Sequence, residues 1–224
     1  MTFSISARCP WSGMMGMAIS SSSPAVAARC AHARAGAGVV ASQNITDPSL
    51  GSKGLDLLAS GLEAKEALAK LLEDYPTADW RQIVVLDMEG RAATHSGVHT
   101  LGTHATAVGE SCAAAGNLLA NTNVPKAMVE AFESATGSLG ARLLAAMQGG
   151  MAAGGEAGPV HSAGMYIVRD VTWPIADLRV DWHDSDPIGA LETLWKIYEP
   201  QLEDYVTRAV DPTAAPSYGV PGDL

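Results

Sequence analysis

Met1-Thr2-Phe3-Ser4-Ile5-Ser6-Ala7 opens the chain on a strict alternation, with Thr2, Ser4 and Ser6 on one parity and Phe3, Ile5 and Ala7 on the other. A period of two is that of a half-buried strand, so the spacing predicts a strand over about 2–8. Such a strand ties down a terminus that would otherwise fray. The residue it ties down is a threonine behind a methionine, and methionine is commonly trimmed when the next side chain is this small. The expected product carries a hydroxyl and a free α-amino group on one residue, an oxygen nucleophile with its own base. An α-amino pKa of roughly 7.7–8.0 leaves a useful fraction neutral near pH 7 without a histidine. Met-Thr starts are also common in proteins without such chemistry, so the structural context has to decide.

Working outward, Pro10-Trp11-Ser12-Gly13 is a turn-like cluster, and a second strand over about 14–20 completes an N-terminal hairpin. Ala35–Asn44 reads as a further strand with close backbone approach at its glycines; it lacks the G-x-G-x-x-G spacing of a nucleotide fold. Leu55, Leu58, Leu62, Leu68, Leu71 and Leu72 recur at helical spacing, with Gly61 dividing two helices. Gln82–Asp87 and Arg91–Ser96 form a hairpin around Met88-Glu89-Gly90, and a glycine- and threonine-rich connection leads to a strand over Cys112–Leu119. Pro125 suits a first helical turn, and Met128, Phe132, Leu139, Leu143 and Met147 mark an apolar helical face divided at Gly137. Gly149–Gly158 reads as a loop. Ser162–Val168 and Asp177–Asp181 read as strands, and a helix runs from about Pro187 to a break at Pro200. This order predicts an α+β protein with helices layered on antiparallel sheets, as one domain over 1–210 with an irregular tail over 211–224.

Composition narrows the function. A chain of 224 residues, 47% hydrophobic, has material for a sizeable core. A net charge of −10 argues against a nucleic-acid or anionic-membrane surface. The longest apolar runs are far short of a membrane span. Cys9, Cys30 and Cys112 lack disulfide or zinc spacing, so a cytoplasmic protein is expected. One rival is export. Arg8, the apolar Met14–Ile19 stretch and Ala31-His32-Ala33 imitate a cleavable signal within residues 1–33, although four serines interrupt it at 20–23. Cleavage there would discard Thr2.

Several strings in order carry a family resemblance: Thr2-Phe3-Ser4-Ile5, Ala33-Arg34-Ala35-Gly36-Ala37-Gly38, Ala41-Ser42-Gln43, Gly54-Leu55-Asp56-Leu57-Leu58, Ala115-Gly116-Asn117-Leu118-Leu119 and Ala153-Gly154-Gly155. Over about residues 2–185 the chain resembles the bacterial family called domain of unknown function 1028, whose members are grouped with the N-terminal-nucleophile (Ntn) hydrolases. The resemblance implies a four-layer αββα sandwich and hydrolysis of an amide or peptide-like C–N bond by the first residue of the mature chain. Some relatives carry a pilus-assembly label, which nothing in the residues supports on physical grounds.

Under that resemblance Thr2 is the nucleophile. Asn117, beside Gly116, is the candidate oxyanion donor through its neutral NH₂, with an ordinary strand-end asparagine as the bland alternative. Arg34 stands at the distance from the nucleophile where related enzymes place a pKa-lowering base, though a solvated surface arginine explains it as well. Gln43 and Asn44 at a strand end, with Ser162 and Glu156 after the glycine-rich stretch, are candidate substrate-binding residues. The threonine peptidases carry an aspartate near positions 17–19, where Ala18 and Ile19 stand in this chain, which leaves the serines at 20–23 to fill that space. His95, His99 and His104 form an H-x₃-H-x₄-H series that straddles glycines without sharing a helical face, so no metal and no cofactor is expected. Two rivals to a small-molecule amidohydrolase remain: a non-catalytic oligomeric binding or assembly protein, and a metal-dependent hydrolase using those histidines. The expected partners are a small amide substrate and a second copy in a homodimer or higher homo-oligomer, with no nucleic acid or membrane.

Overall fold

A computed structural model describes residues 2–220; Met1, whose removal the threonine reading requires, and the last four residues of the tail lie outside them. The chain forms a sandwich of two antiparallel sheets. The larger sheet contains β1 (Thr2–Arg8), β2 (Met15–Ser21), β7 (Ala105–Gly109), β8 (Cys112–Asn117), β9 (Ser162–Val168) and β10 (Ala176–Val180), in the order β10-β9-β2-β1-β8-β7. The smaller contains β3 (Ala31–Arg34), β4 (Gly38–Asn44), β5 (Arg81–Asp87) and β6 (Ala92–Ser96) in sequential order. A short helix, α1 (Val26–Cys30), carries the chain from one sheet to the other.

The alternation in β1 sorts the layers. Phe3, Ile5 and Ala7 are buried in a core with Met128, Phe132, Leu143, Met147, Leu191 and Trp195. Those residues come from α4 (Val124–Ser134), α5 (Leu139–Ala152) and α6 (Pro187–Tyr198), which cover the outer face of the large sheet. Leu50, Leu55 and Leu58 of α2 (Ser49–Ala59) and Ala67, Leu68 and Leu71 of α3 (Ala64–Leu72) cover the small sheet, packing on Val40, Ile83 and Val85. Between the sheets lie Met15, Met17, Ile19, Val39, Ala41, Val84, Leu86, Ala113 and Ala115. The architecture is therefore the four-layer αββα sandwich. The polar parity of β1 faces the other sheet, a side that in most sandwiches is wholly apolar.

Helix ends follow their sequence signals. Glu63 and Glu66 form a reciprocal capping box on α3, Pro125 sits in the first turn of α4, and Asp186 Oδ1 accepts from the Gly189 amide at 2.8 Å before Pro187 opens α6. Pro200 ends α6 in a 3₁₀ turn that runs on into α7 (Leu202–Val210), after which residues 211–220 form neither helix nor strand.

Three expectations are corrected. The strand expected over Ala35–Asn44 begins only at Gly38: residues 35–37 form a turn, with Gly36 at φ 74°, that joins β3 to β4. The connection before Cys112 contains β7, an edge strand that the scattered glycines conceal. The loop expected over Gly149–Gly158 starts late, because α5 continues through Gly149 and Gly150 to Ala152. A Cβ on Gly149 would stand 2.6 Å from the Ala131 Cβ, and one on Gly150 would stand 2.8 Å from the Met128 Cγ. Close packing of α4 on α5 thus requires glycines that helix propensity disfavours.

Candidate active site

One end of the space between the sheets is polar. Thr2 opens β1 and is directly opposed by Asn117, the last residue of β8. Beyond it Leu118 adopts φ 51°, turning the chain out of the sheet and leaving the asparagine at the rim. On the other side of β1, the last residue of β2 brings Ser21 to the threonine; the Thr2 hydroxyl donates to Ser21 Oγ at 3.4 Å. Thr2 is only 6% exposed and Asn117 1%.

Beneath them runs a chain of buried amides. The Ser4 hydroxyl donates to Gln43 Oε1 at 2.7 Å, and Gln43 Nε2 donates to Gln82 Oε1 at 2.8 Å. Asn117 Nδ2 donates to the same Gln82 oxygen at 3.1 Å. Gln82 Nε2 in turn donates to the Gly116 carbonyl and to Ser96 Oγ, both at 3.0 Å. Gln82 thus ties the small sheet to the strand that carries Asn117. The Asn117 NH₂ expected to face a developing oxyanion spends a hydrogen on this network, and its Oδ1 has no partner.

The rim is closed by Glu156, which forms an isolated bridge with Leu119 and is 5% exposed. Its Oε1 accepts from the Ser22 amide at 3.2 Å, while Oε2 has no hydrogen-bond partner. Burial raises its carboxyl to a pKa of about 7, the positive chain terminus and the Ser22 hydrogen bond pulling the other way. Ser162 sits opposite Ser21 in the β2–β9 pairing, and its hydroxyl donates to the Ser23 carbonyl at 2.6 Å and accepts from the Val26 amide. Its hydroxyl fixes the serine turn that presents Ser21 and Ser22. Of the serines at 20–23, Ser21 is the one whose hydroxyl stands against Thr2.

Of the residues picked out in the sequence, Thr2, Asn117, Gln43, Ser162 and Glu156 converge at this end. Gln43 and Ser162 are consumed in holding neighbours. Asn44 lies at the same end, at φ 74°, where its side chain donates to the Trp80 carbonyl and accepts from the Leu101 amide, pinning two loops. Arg34 does not join them. It pairs with Gly38, five residues along β4 from Gln43, which is about 17 Å at the rise of a strand. There its guanidinium binds Asp56 at 2.7 Å, exposed, on the edge of a separate cleft of about 600 Å³ that includes Tyr166, Arg169 and Trp173. Sequence distance from a nucleophile does not fix the direction of a later strand. His95 donates to the Ala78 carbonyl, His99 lies tilted against Trp80 with ring centroids 4.6 Å apart, and His104 bonds the Gly102 carbonyl. Among the described residues no three His, Cys, Asp or Glu side chains come close enough together to hold a metal.

Gln82 and Ser4 are site residues that the sequence reading does not pick out, and Ser21 enters it only as one of four serines. Their signal was present: each is a polar residue on a strand parity otherwise given to the apolar space between the sheets.

No curated protein matches the chain. The crystal structure of protein SPO2555 from Silicibacter pomeroyi, assigned to family DUF1028, superposes with a TM-score of 0.84 at 30% identity, covering 91% of this chain and 89% of that one. Anbu (ancestral beta-subunit) from Yersinia bercovieri aligns over 92% of this chain and 97% of its own at 12% identity, with a TM-score of 0.39, too slight to transfer anything. The family model described as "family of unknown function (DUF1028)" matches residues 2–191, and the chain belongs to that family.

Proposed function

We propose that the protein is an amidohydrolase of small amide or peptide-like C–N bonds, with Thr2 as nucleophile once Met1 is removed. The observation that supports this most is the position of Thr2: it begins the strand between β2 and β8 and faces the polar end between the sheets, with its hydroxyl against Ser21. In the proposed reaction the Thr2 oxygen attacks the carbonyl carbon while the α-amino group takes the hydroxyl proton, directly or through water. The amine leaves with a proton, an acyl ester remains on Thr2, and water hydrolyses it to the acid. The tetrahedral oxyanion needs donors worth several kcal/mol, roughly 3–4 for one well-placed group. The second hydrogen on Asn117 Nδ2 can supply one of them.

Intact-mass measurement tests the first requirement and turnover of a panel of small amides by wild type and Thr2→Ala tests the second. The expected result is a mass lacking Met1 and turnover lost in the variant. A retained Met1, or equal turnover in both, ends this reading.

The second reading, a non-catalytic binding or assembly protein on the same fold, draws on two observations. Thr2 is nearly inaccessible, and α6 leaves Leu194 and Ile197 37% and 61% exposed. It predicts a retained Met1, no turnover, and a stable oligomer by light scattering.

A further inference from the structure

The polar cluster around Thr2 contains two unpaired oxygens: Asn117 Oδ1 is always an acceptor, and Glu156 Oε2 is one when its carboxyl is ionised. Asn117 Oδ1 and Glu156 Oε2 have no hydrogen-bond partner, on side chains 1% and 5% exposed. Buried polar atoms are paired in the great majority of cases, so each of these calls for a partner.

Asn117 cannot repair its own deficit. The Gly116 carbonyl can only accept, so Gln82 must turn its NH₂ toward it and its Oε1 toward Asn117. Asn117 has to answer with its own NH₂, because a flip would set two oxygens face to face. Its Oδ1 is thereby left over as a fixed acceptor. On Glu156, Oε1 is occupied by the Ser22 amide and Oε2 is not.

The two acceptors flank β1. Asn117 ends β8 on one side, and the Glu156 carboxylate reaches the residue following β2 on the other. Water can serve both in the free protein, and a ligand that displaces it must bring its own N–H groups.

We propose that the Thr2 site takes amides bearing a free, positively charged amino group, with the ammonium and its neighbouring N–H held by Glu156 Oε2 and Asn117 Oδ1. The choice of an amide rests on the hydrolase reading above; the recognition of the ammonium does not need the nucleophile. An alkyl group in that place leaves both acceptors unpaired, and a carboxylate sets negative charge against them; the site rejects both.

The test is a ligand-observed NMR titration of the full-length protein with three probes: glycinamide, propionamide (the same skeleton with methyl for ammonium) and malonic acid monoamide. Glycinamide is expected to bind about tenfold or more tighter than either of the others. Glu156→Gln, checked for folding by circular dichroism, is expected to remove most of that preference, and Thr2→Ala to keep it. Glycinamide binding no tighter than propionamide, including no binding by any probe, overturns the proposal, as does a preference that survives Glu156→Gln or vanishes in Thr2→Ala. The wild-type comparison stands even if a variant misfolds. A preference for glycinamide in a protein that hydrolyses none of the amides sinks the hydrolase reading alone. Hydrolysis of propionamide with equal binding sinks this one alone.

Discussion

Thr2 and Asn117 face each other across the β1–β8 ladder, the first described residue of the chain against the last residue of a strand more than a hundred positions later. Neither position is set by its own strand alone. Asn117 is held through Gln82, which receives Asn117 and Gln43 on one end of its amide and gives to Gly116 and Ser96 on the other. The orientation of every amide in the series follows from a single backbone carbonyl that cannot donate.

Gln82→Leu should therefore be costly although it keeps volume and adds apolar surface. The change leaves the Gln43 and Asn117 NH₂ groups and the Gly116 carbonyl without the partner they share. Each buried group left unpaired costs roughly 1–3 kcal/mol, and partial rearrangement recovers some of the total, so a loss of about 3 kcal/mol is expected in urea denaturation. A loss below about 1 kcal/mol would mean that the amides re-pair without Gln82.

Arg34→Ala should do almost nothing. The arginine is half exposed, its ion pair with Asp56 is in water, and it stands at the opposite end of β4 from Gln43. Exposed pairs of this kind contribute about 0–1 kcal/mol. Stability within about 0.5 kcal/mol of wild type, and turnover within about twofold, are expected. A large loss of turnover at unchanged stability would return Arg34 to the catalytic apparatus.

The two faces of β1, the strand over Ser162–Val168, the hairpin around Met88-Glu89-Gly90 and the helix breaks at Gly61 and Gly137 were legible because each depends on local period or local turn chemistry. Asn117 and Glu156 could be picked out by residue type. Their roles could not, since these depend on Gln82 and Ser22, far away in sequence, and on which lone pairs remain after those contacts are made. Arg34 is the surface arginine that its residue type also allowed, because the turn at Gly36 starts β4 beside it and leaves Gln43 at the strand's far end. The glycines at 149 and 150 were misjudged because propensity is weaker than the close packing of two helices.

Gly16 gives a sharp test of sheet packing away from the site. It lies on β2 opposite Ile167, and a Cβ built there would stand 2.4 Å from the Tyr166 carbonyl oxygen and 3.1 Å from the Ile167 Cα. Both are backbone atoms of β9, so no side-chain rotation relieves the overlap. Gly16→Ala should cost about 3 kcal/mol or more, read as a lowered melting temperature by circular dichroism. An unchanged melting temperature would show that β9 can move away from β2 at little cost.

Glu156 makes stability depend on pH in a direction opposite to most carboxylates. Burial raises its folded pKa to about 7, whereas the unfolded chain returns it to about 4.3. Below the unfolded value both states hold the proton, and the fold keeps its full stability with respect to this group. As pH rises, the unfolded chain releases the proton first, so stability falls until the folded carboxyl also ionises near pH 7, and is level above that. At about 1.4 kcal/mol per pKa unit the loss comes to about 3 kcal/mol between pH 4 and 8. Glu156→Gln has no proton to exchange and should remove that slope, so the variant gains on wild type as pH rises from 5 to 8. Urea midpoints at pH 5, 6, 7 and 8 read this directly. Parallel curves for the two proteins would mean that the carboxyl titrates alike in the folded and unfolded chains. They would remove the case for a buried acid beside Thr2.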